Sequence, residues 1–229
     1  MKTDLILLHG ALGSEKQFTG LRELLSDFYN VFTFNFSGHG GEPIDQPFSI
    51  DLFGEDTLAF LKENNLDQPL VFGYSMGGYV ALKLASVHHN LFQKIITLGT
   101  KFEWTPGSAQ KEIKMLNPEV IEEKVPRFAQ MLKDRHAPED WKKNMRYTAD
   151  MMLALGNGDA MNESDFGKII TPVTICVGSE DNMVSQQESQ WAANLIPSAE
   201  YQLIEGFKHP IESVPAKELS GVIMNNFIT

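Results

Sequence analysis

Short apolar runs alternate with longer amphipathic segments along most of the chain, a pattern typical of strands and helices in turn. Six short runs each predict a strand: residues 5–8, 31–35, 70–72, 94–98, 173–177 and 201–204. Between them, apolar residues recur at helical spacing, as at Leu52, Phe53, Leu58 and Leu61. Because continuously apolar strands are typical of sheets covered on both faces, the sequence predicts an α/β protein. Its sheet is expected to be mostly parallel and six-stranded, with helices on both faces.

The alternation stops between residue 101 and about residue 165. This segment has helical patterns and scattered prolines but no apolar strand run. Six of the ten methionines lie in it: Met115, Met131, Met145, Met151, Met152 and Met161. Methionine fills irregular apolar space and adapts to varied ligands, so these side chains either face a ligand or join the helices of the segment. The sequence predicts a core of residues 1–100 and 166–229, with a helical insertion at 101–165 over the strand ends.

Composition narrows the classes of function. A chain of 229 residues with 42% hydrophobic and 21% charged residues suits one globular domain with an insertion. The net charge of −11 argues against nucleic acid or an anionic membrane as a partner. The single cysteine, Cys176, lies in an apolar run and is expected to be a buried, inert thiol. The sequence has no cationic leader and no uncharged run of bilayer length, so a cytoplasmic location is expected.

The third predicted strand runs into a helix through residues 73–77, which read GYSMG and are followed by Gly78. Glycines on both sides remove side chains that would collide in so tight a turn. They force Ser75 into a strained backbone with its hydroxyl projecting outward. The N-terminus of the next helix lies beside that hydroxyl and favours any negative charge formed there. This pattern predicts a nucleophile at Ser75; a serine that merely caps the helix is the alternative.

Other strand ends bring further chemical groups to the same edge of the sheet. A serine hydroxyl needs a base to take its proton, and the base needs an anion to orient it. The chain order of serine, acid and histidine is one of the known orders for such a trio. Asp181, which follows the fifth predicted strand, supplies a carboxylate at this edge. The only histidine after Asp181 is His209, so in that order it is the candidate base for Ser75. His9 and His39 lie in turns near the site, where we expect structural hydrogen bonds.

Five motifs in the correct order make the chain resemble the α/β-hydrolase superfamily. They occupy residues 9–10, 37–40, 73–78, 178–184 and 206–209. The resemblance implies the α/β-hydrolase fold without the two antiparallel first strands of longer members. It also implies that residues 101–165 form a cap domain.

The resemblance further implies a role for each residue of the trio. Ser75 in the nucleophile elbow corresponds to the nucleophile, His209 to the general base and then acid, and Asp181 to the orienting carboxylate of a catalytic triad. Glu180 is a neighbouring alternative for the acid. Glu103 is another, because some members take the acid from the preceding strand end.

The resemblance also implies an oxyanion hole formed by the backbone N–H groups of Ala11 and Met76. Four residues near the strand ends are predicted to line a substrate pocket: Leu12, Phe102, Trp104 and Met183. For Phe102 and Trp104, packing of the cap onto the core is the alternative.

The expected activity is that of a serine esterase, which hydrolyses a small carboxylic ester through an acyl-enzyme. An alternative is a lyase or synthase acting on a C–C bond, because residues 9–14 and 73–78 are similar to the menaquinone-pathway synthase. That family usually has arginine directly after the paired glycines, where this chain has Tyr79. A third possibility is a non-hydrolytic small-molecule receptor. The sequence has no metal-ligand cluster and no phosphate-binding loop, so a small acyl substrate is expected without metal or cofactor.

Overall fold

The computed structural model describes residues 2–228, which contain one six-stranded sheet. Its strands are β1 (Thr3–Leu8), β2 (Tyr29–Thr33), β3 (Leu70–Tyr74), β4 (Lys94–Leu98), β5 (Val173–Gly178) and β6 (Ala199–Ile204). Each neighbouring pair is parallel, in the order β2-β1-β3-β4-β5-β6. All six predicted strands are present. Met1 and Thr229, the outer limits of the predicted core, lie outside the described residues.

Helices connect the strands. In chain order they are α1 (Thr19–Leu25), α2 (Ile50–Glu63), α3 (Met76–Val87), α4 (Pro106–Ile113), α5 (Pro118–Lys124), α6 (Pro126–His136), α7 (Trp141–Ala154), α8 (Glu163–Gly167), α9 (Gln186–Leu195) and α10 (Ala216–Ile228). A π-helical turn, Leu155–Asp159, follows α7. Within residues 2–228, none of these helices combines the length and the apolar character that crossing a membrane requires.

The sheet buries both of its faces, because successive residues of a strand point to opposite sides. On β1, Leu5 and Leu7 belong to a core formed with α1 and α10. The intervening Ile6 and Leu8 belong to a second core formed with α2, α3, α8 and α9. The continuous apolar runs of the sequence therefore correspond to strands covered on both sides.

Five helices, α4 to α8, lie between β4 and β5. Helices α4 to α7 pack on one another, and Leu132, Trp141 and Met145 form part of a separate small core there. Helix α8 instead packs against α3 and α9, which cover the sheet. The predicted insertion boundary at residue 165 therefore falls inside a helix of the main core. Below, "the insertion" means residues 101–165.

Candidate active site

Ser75 lies in the tight turn between β3 and α3. Its φ of 51° and ψ of −116° are rare for a residue with a side chain, so the backbone is strained. The Ser75 N–H donates to the Leu98 carbonyl, and the Thr100 hydroxyl donates to the Ser75 carbonyl, both at 2.9 Å. A Cβ on Gly73 would lie 2.5 Å from backbone atoms of Gly78, so only glycine fits there. The close approach of strand and helix thus fixes the serine at the strand end.

A path of hydrogen bonds joins Ser75 to two distant loops. The Ser75 Oγ lies 3.4 Å from His209 Nε2, and His209 Nδ1 lies 2.9 Å from Asp181 Oδ2. Because a carboxylate only accepts, His209 carries its proton on Nδ1 and turns an accepting Nε2 toward the serine hydroxyl. The other Asp181 oxygen accepts from the N–H groups of Met183 at 2.8 Å and Val184 at 2.9 Å. The structure therefore brings together the three side chains singled out by the sequence.

The surroundings of Asp181 favour its charged form. Burial by itself raises the pKa of this carboxyl. The hydrogen bond and charge of His209, with two backbone N–H groups, outweigh burial and hold the pKa below its usual value. An anionic Asp181 stabilises a positive charge on His209. Neither alternative acid is hydrogen-bonded to His209: Glu180 is exposed beside Lys208, and Glu103 is exposed.

Two further residues lie against His209, and one of them is hydrogen-bonded to it. The buried Tyr74 donates a hydrogen bond of 2.8 Å from its hydroxyl to the His209 carbonyl. Burial raises the pKa of Tyr74 far above its ordinary value, so the phenol keeps the proton that it donates. Gly99, directly after β4, has a φ of +61°, and a Cβ there would lie 3.1 Å from Asp181 Oδ2 and 3.3 Å from His209 Nδ1. The end of β4 thus approaches the Asp181–His209 pair closely.

Two backbone N–H groups are free beside the serine. Within residues 2–228, neither Ala11 nor Met76 donates a backbone hydrogen bond to another residue. Met76 is the first residue of α3, where the helix dipole is positive. A Cβ on Gly10 would lie 3.1 Å from the Ser75 Cβ, so the turn after β1 lies against the serine. Both N–H groups predicted to form the oxyanion hole are therefore available next to Ser75.

Buried polar side chains fix the carbonyl groups of the turn after β1. His9 Nδ1 donates to the Gly10 carbonyl at 2.8 Å. The Leu12 carbonyl accepts from Arg135 Nη1 at 2.9 Å and from His136 Nε2 at 3.2 Å. Burial lowers the pKa of His9 to about 3 and that of His136 to about 4, so both are neutral at pH 7. His9 thus makes the kind of structural hydrogen bond expected of it.

A cavity of about 50 Å³ lies beside Ser75 and His209, facing helices α4 and α7 of the insertion. Most of the exposed surface inside it is apolar. Four of the six residues predicted for the oxyanion hole or pocket line this cavity: Ala11, Met76, Trp104 and Met183. Leu12 and Phe102 do not.

Leu12 and Phe102, which were predicted to line the pocket, pack elsewhere. Leu12 is turned toward the helices of the insertion and packs against the cluster that contains Leu132. Phe102 is buried in the main core, where its ring meets that of Phe166 edge-on at 5.8 Å. Tertiary packing thus takes both side chains away from the cavity.

The sequence reasoning missed two charged residues of the lining. Lys101 directly precedes Phe102, and Glu112 lies on α4; both line the cavity. No pattern in the sequence distinguishes them from the other charges of the insertion. Of the six methionines singled out in the insertion, Met151 and Met152 line the cavity, whereas Met115 is 56% exposed.

A family model described as "alpha/beta hydrolase fold" matches residues 4–136, which is more than half of the chain. The chain belongs to the α/β-hydrolase family. The predicted superfamily and fold class are therefore confirmed.

Individual relatives of this α/β-hydrolase include esterases. It is 25% identical to the pimeloyl-(acyl-carrier protein) methyl ester esterase of Aeromonas hydrophila, covering 98% of this chain and 95% of the relative. The thermophilic esterase from Thermogutta terrifontis is similar with a TM-score of 0.76 and 18% identity, covering 99% of this chain and 90% of that chain. MenH from S. aureus is similar with a TM-score of 0.75 and 22% identity, covering 97% and 92%. At these identities the two structures support the fold alone.

Proposed function

We propose that this α/β-hydrolase is a serine esterase that hydrolyses small carboxylic esters with Ser75, His209 and Asp181. The observation that carries the proposal is the hydrogen-bonded path from Asp181 through His209 to Ser75 at the wall of a cavity. The name of the Aeromonas hydrophila relative, a methyl ester esterase, supports the ester class.

In the first step, Ser75 Oγ attacks the ester carbonyl carbon while His209 Nε2 takes the hydroxyl proton. The carbonyl oxygen becomes an oxyanion, which the N–H groups of Ala11 and Met76 stabilise. When the tetrahedral intermediate collapses, the C–O bond to the alcohol breaks and His209 gives its proton to the leaving oxygen. The products are the free alcohol and an ester of Ser75.

In the second step, water attacks the acyl carbonyl carbon while His209 takes one of its protons. The same two N–H groups stabilise the second oxyanion. Collapse breaks the bond to Ser75 Oγ, which recovers a proton from His209, and the carboxylic acid leaves. Asp181 keeps the imidazole in the required tautomer and stabilises its charged form in both steps.

The size and lining of the cavity favour a short acyl group. The volume of about 50 Å³ admits only a few water-sized groups, since one water needs ~10–15 Å³ by the same kind of measure. Met151 and Met152 provide an adaptable apolar wall. Small esters therefore fit better than long-chain ones.

The cavity lining argues against the lyase alternative. Tyr79 stands directly after the paired glycines, where the menaquinone-pathway synthases usually have arginine. Lys101 is the only lysine or arginine among the described residues that line the cavity, and it lies between the carboxylates of Glu112 and Glu188. An anionic substrate would therefore meet no unpaired cation.

The test is covalent labelling by a fluorophosphonate combined with hydrolysis of p-nitrophenyl acetate, butyrate and octanoate. Wild-type protein should be labelled and should prefer the short esters. Ser75→Ala should lose both labelling and turnover, whereas Ser26→Ala, at an exposed serine directly after α1, should retain both. Ester turnover by Ser75→Ala at the wild-type rate refutes the proposal. Binding of esters without any turnover by wild type would favour the receptor alternative.

A further inference from the structure

One part of the cavity lining is charged. The Lys101 ammonium nitrogen lies 3.7 Å from Glu112 Oε1 and 3.6 Å from Glu188 Oε2. Lys101 and Glu112 line both the cavity and an adjoining surface groove of about 450 Å³. This charged group therefore lies where the catalytic cavity meets the groove.

The two glutamates differ in how well their carboxylates are bonded. Glu188 accepts hydrogen bonds from the Phe102 N–H at 3.0 Å and from the N–H and hydroxyl of Ser185 at 3.3 and 3.2 Å. These bonds stabilise the start of α9, so Glu188 has a structural role. Glu112 is different: within residues 2–228 its carboxylate accepts no hydrogen bond, although the side chain is only 9% exposed. Its charge is paired with Lys101 at 3.7 Å, which is longer than a hydrogen bond, so the carboxylate can still accept a hydrogen bond from a ligand.

The donor beside this acceptor is the Lys101 ammonium. Trp104 lines the cavity, and its ring centroid is 5.9 Å from the Lys101 ammonium. The charged side of the cavity thus carries an acceptor without a hydrogen-bond donor, on Glu112, beside the Lys101 ammonium, which is a donor.

We infer that the substrate of the proposed esterase carries a neutral hydroxyl group that donates to Glu112 and accepts from Lys101. This inference rests on the proposed function and narrows its substrate class. A hydroxyl satisfies an acceptor and a donor at once. A hydrocarbon leaves both unsatisfied and desolvates the charges. A carboxylate is repelled by the two glutamates, and the position of a cation between them is already occupied by the Lys101 ammonium.

The test compares esters of equal shape in which a hydroxyl replaces a methyl group. One pair varies the acyl part: ethyl 3-hydroxybutanoate and ethyl 3-methylbutanoate. The other varies the alcohol part: 3-hydroxybutyl acetate and 3-methylbutyl acetate. Binding to full-length Ser75→Ala is measured by NMR titration, so that the readout does not depend on turnover. In at least one pair the hydroxyl ester should bind about tenfold or more tightly, because hydrogen bonds to charged groups are the stronger ones.

Glu112→Leu in the Ser75→Ala background should bring that ratio close to one. Glu123→Leu is the matched control, since Glu123 is exposed on α5 and does not line the cavity, and it should leave the ratio unchanged. Equal binding within both pairs overturns the inference. So does a ratio that Glu112→Leu leaves intact or that Glu123→Leu lowers equally. A hydroxyl preference without hydrolysis by wild type would instead refute the proposed esterase and leave the inference standing.

Discussion

The hydroxyl of Tyr74 donates a hydrogen bond of 2.8 Å to the backbone carbonyl of His209. Tyr74 ends β3 and directly precedes Ser75, whereas His209 lies in the loop after β6. One side chain therefore connects the strand that presents the serine to the loop that presents the imidazole. The distance between Ser75 and His209 depends on this bond as well as on their own contact.

Replacement of Tyr74 by phenylalanine should lower kcat about ten- to a hundredfold, because small displacements of a catalytic group are costly. KM should change little. The unfolding free energy should fall by about 1–3 kcal/mol, since the carbonyl loses its buried donor. Steady-state kinetics and urea unfolding test this, with Tyr201→Phe on β6 as the control. An unchanged kcat in Tyr74→Phe would show that the bond does not position His209.

Gly99→Ala should impair both stability and turnover. Its φ of +61° costs an alanine about 1–2 kcal/mol, and the new Cβ would press on Asp181 and His209. Gly206→Ala is a matched control, because Gly206 has a φ of +75° but no atom within 4 Å of an added Cβ. Both variants should be destabilised, but only Gly99→Ala should lose kcat. Equal kcat values in the two variants would mean that contact of the new Cβ with Asp181 and His209 does not impair turnover.

Arg135→Met should reduce kcat more than it raises KM. Arg135 donates to the Leu12 carbonyl, and Leu12 follows Ala11, whose N–H faces the oxyanion in the proposed mechanism. Loss of one oxyanion donor costs about a hundred- to a thousandfold, and a displaced donor should cost about tenfold. Arg127→Met, at an exposed position on the same helix, is the control. If both variants have the wild-type kcat, Arg135 does not position this turn.

Stability should decrease on acidification below about pH 6.5, the ordinary pKa of histidine. Burial is the largest cause that lowers the pKa values of His9, His39 and His136, so these side chains stay neutral in the folded state. As the pH falls, these histidines become protonated in the unfolded chain before they do in the folded protein. The unfolding free energy therefore decreases by up to about 1.4 kcal/mol for each histidine and each unit by which the pH is lowered. This loss continues until the folded pKa values are reached, about 3 for His9 and about 4 for His136.

His136→Gln isolates one of these contributions, because the amide keeps an acceptor for the Gly40 N–H and a donor for the Leu12 carbonyl. Urea unfolding between pH 5 and 7 should show a slope that becomes shallower by up to about 1.4 kcal/mol per pH unit toward pH 5. His88→Gln, at an exposed position, should keep the wild-type slope. A His136→Gln slope identical to that of wild type would contradict the assignment.

The parts of the fold that could be predicted from the sequence depend on local chemistry. The turn at Ser75 is dictated by glycines within a few residues, and the strands are dictated by continuous apolar runs. Ser75, Asp181 and His209 each follow the end of a strand, and the strands of a parallel sheet all have their carboxyl ends at one edge. The positions of the three residues after their strands therefore predict that they meet.

The residues that the sequence did not predict correctly depend on packing between distant elements. Leu24 and Phe28 recur with Leu21 and Leu25 at helical spacing, yet they are 41% and 57% exposed. Helix α1 ends at Leu25, so Phe28 lies beyond it. Phe102 reads as a pocket residue because it follows a strand, yet its side chain meets α8, whose position no local pattern reveals.

The insertion is bonded to the core at the turn that carries Ala11. Arg135 and His136 at the end of α6 bind the Leu12 carbonyl, and Asn144 on α7 donates to the Gly38 carbonyl at 2.7 Å. Exchange of residues 101–165 for the equivalent segment of another family member would therefore alter more than substrate choice. A chimaera that omits Arg135 and His136 also withdraws the support of the turn after β1, so exchange of the insertion between family members has to preserve both side chains.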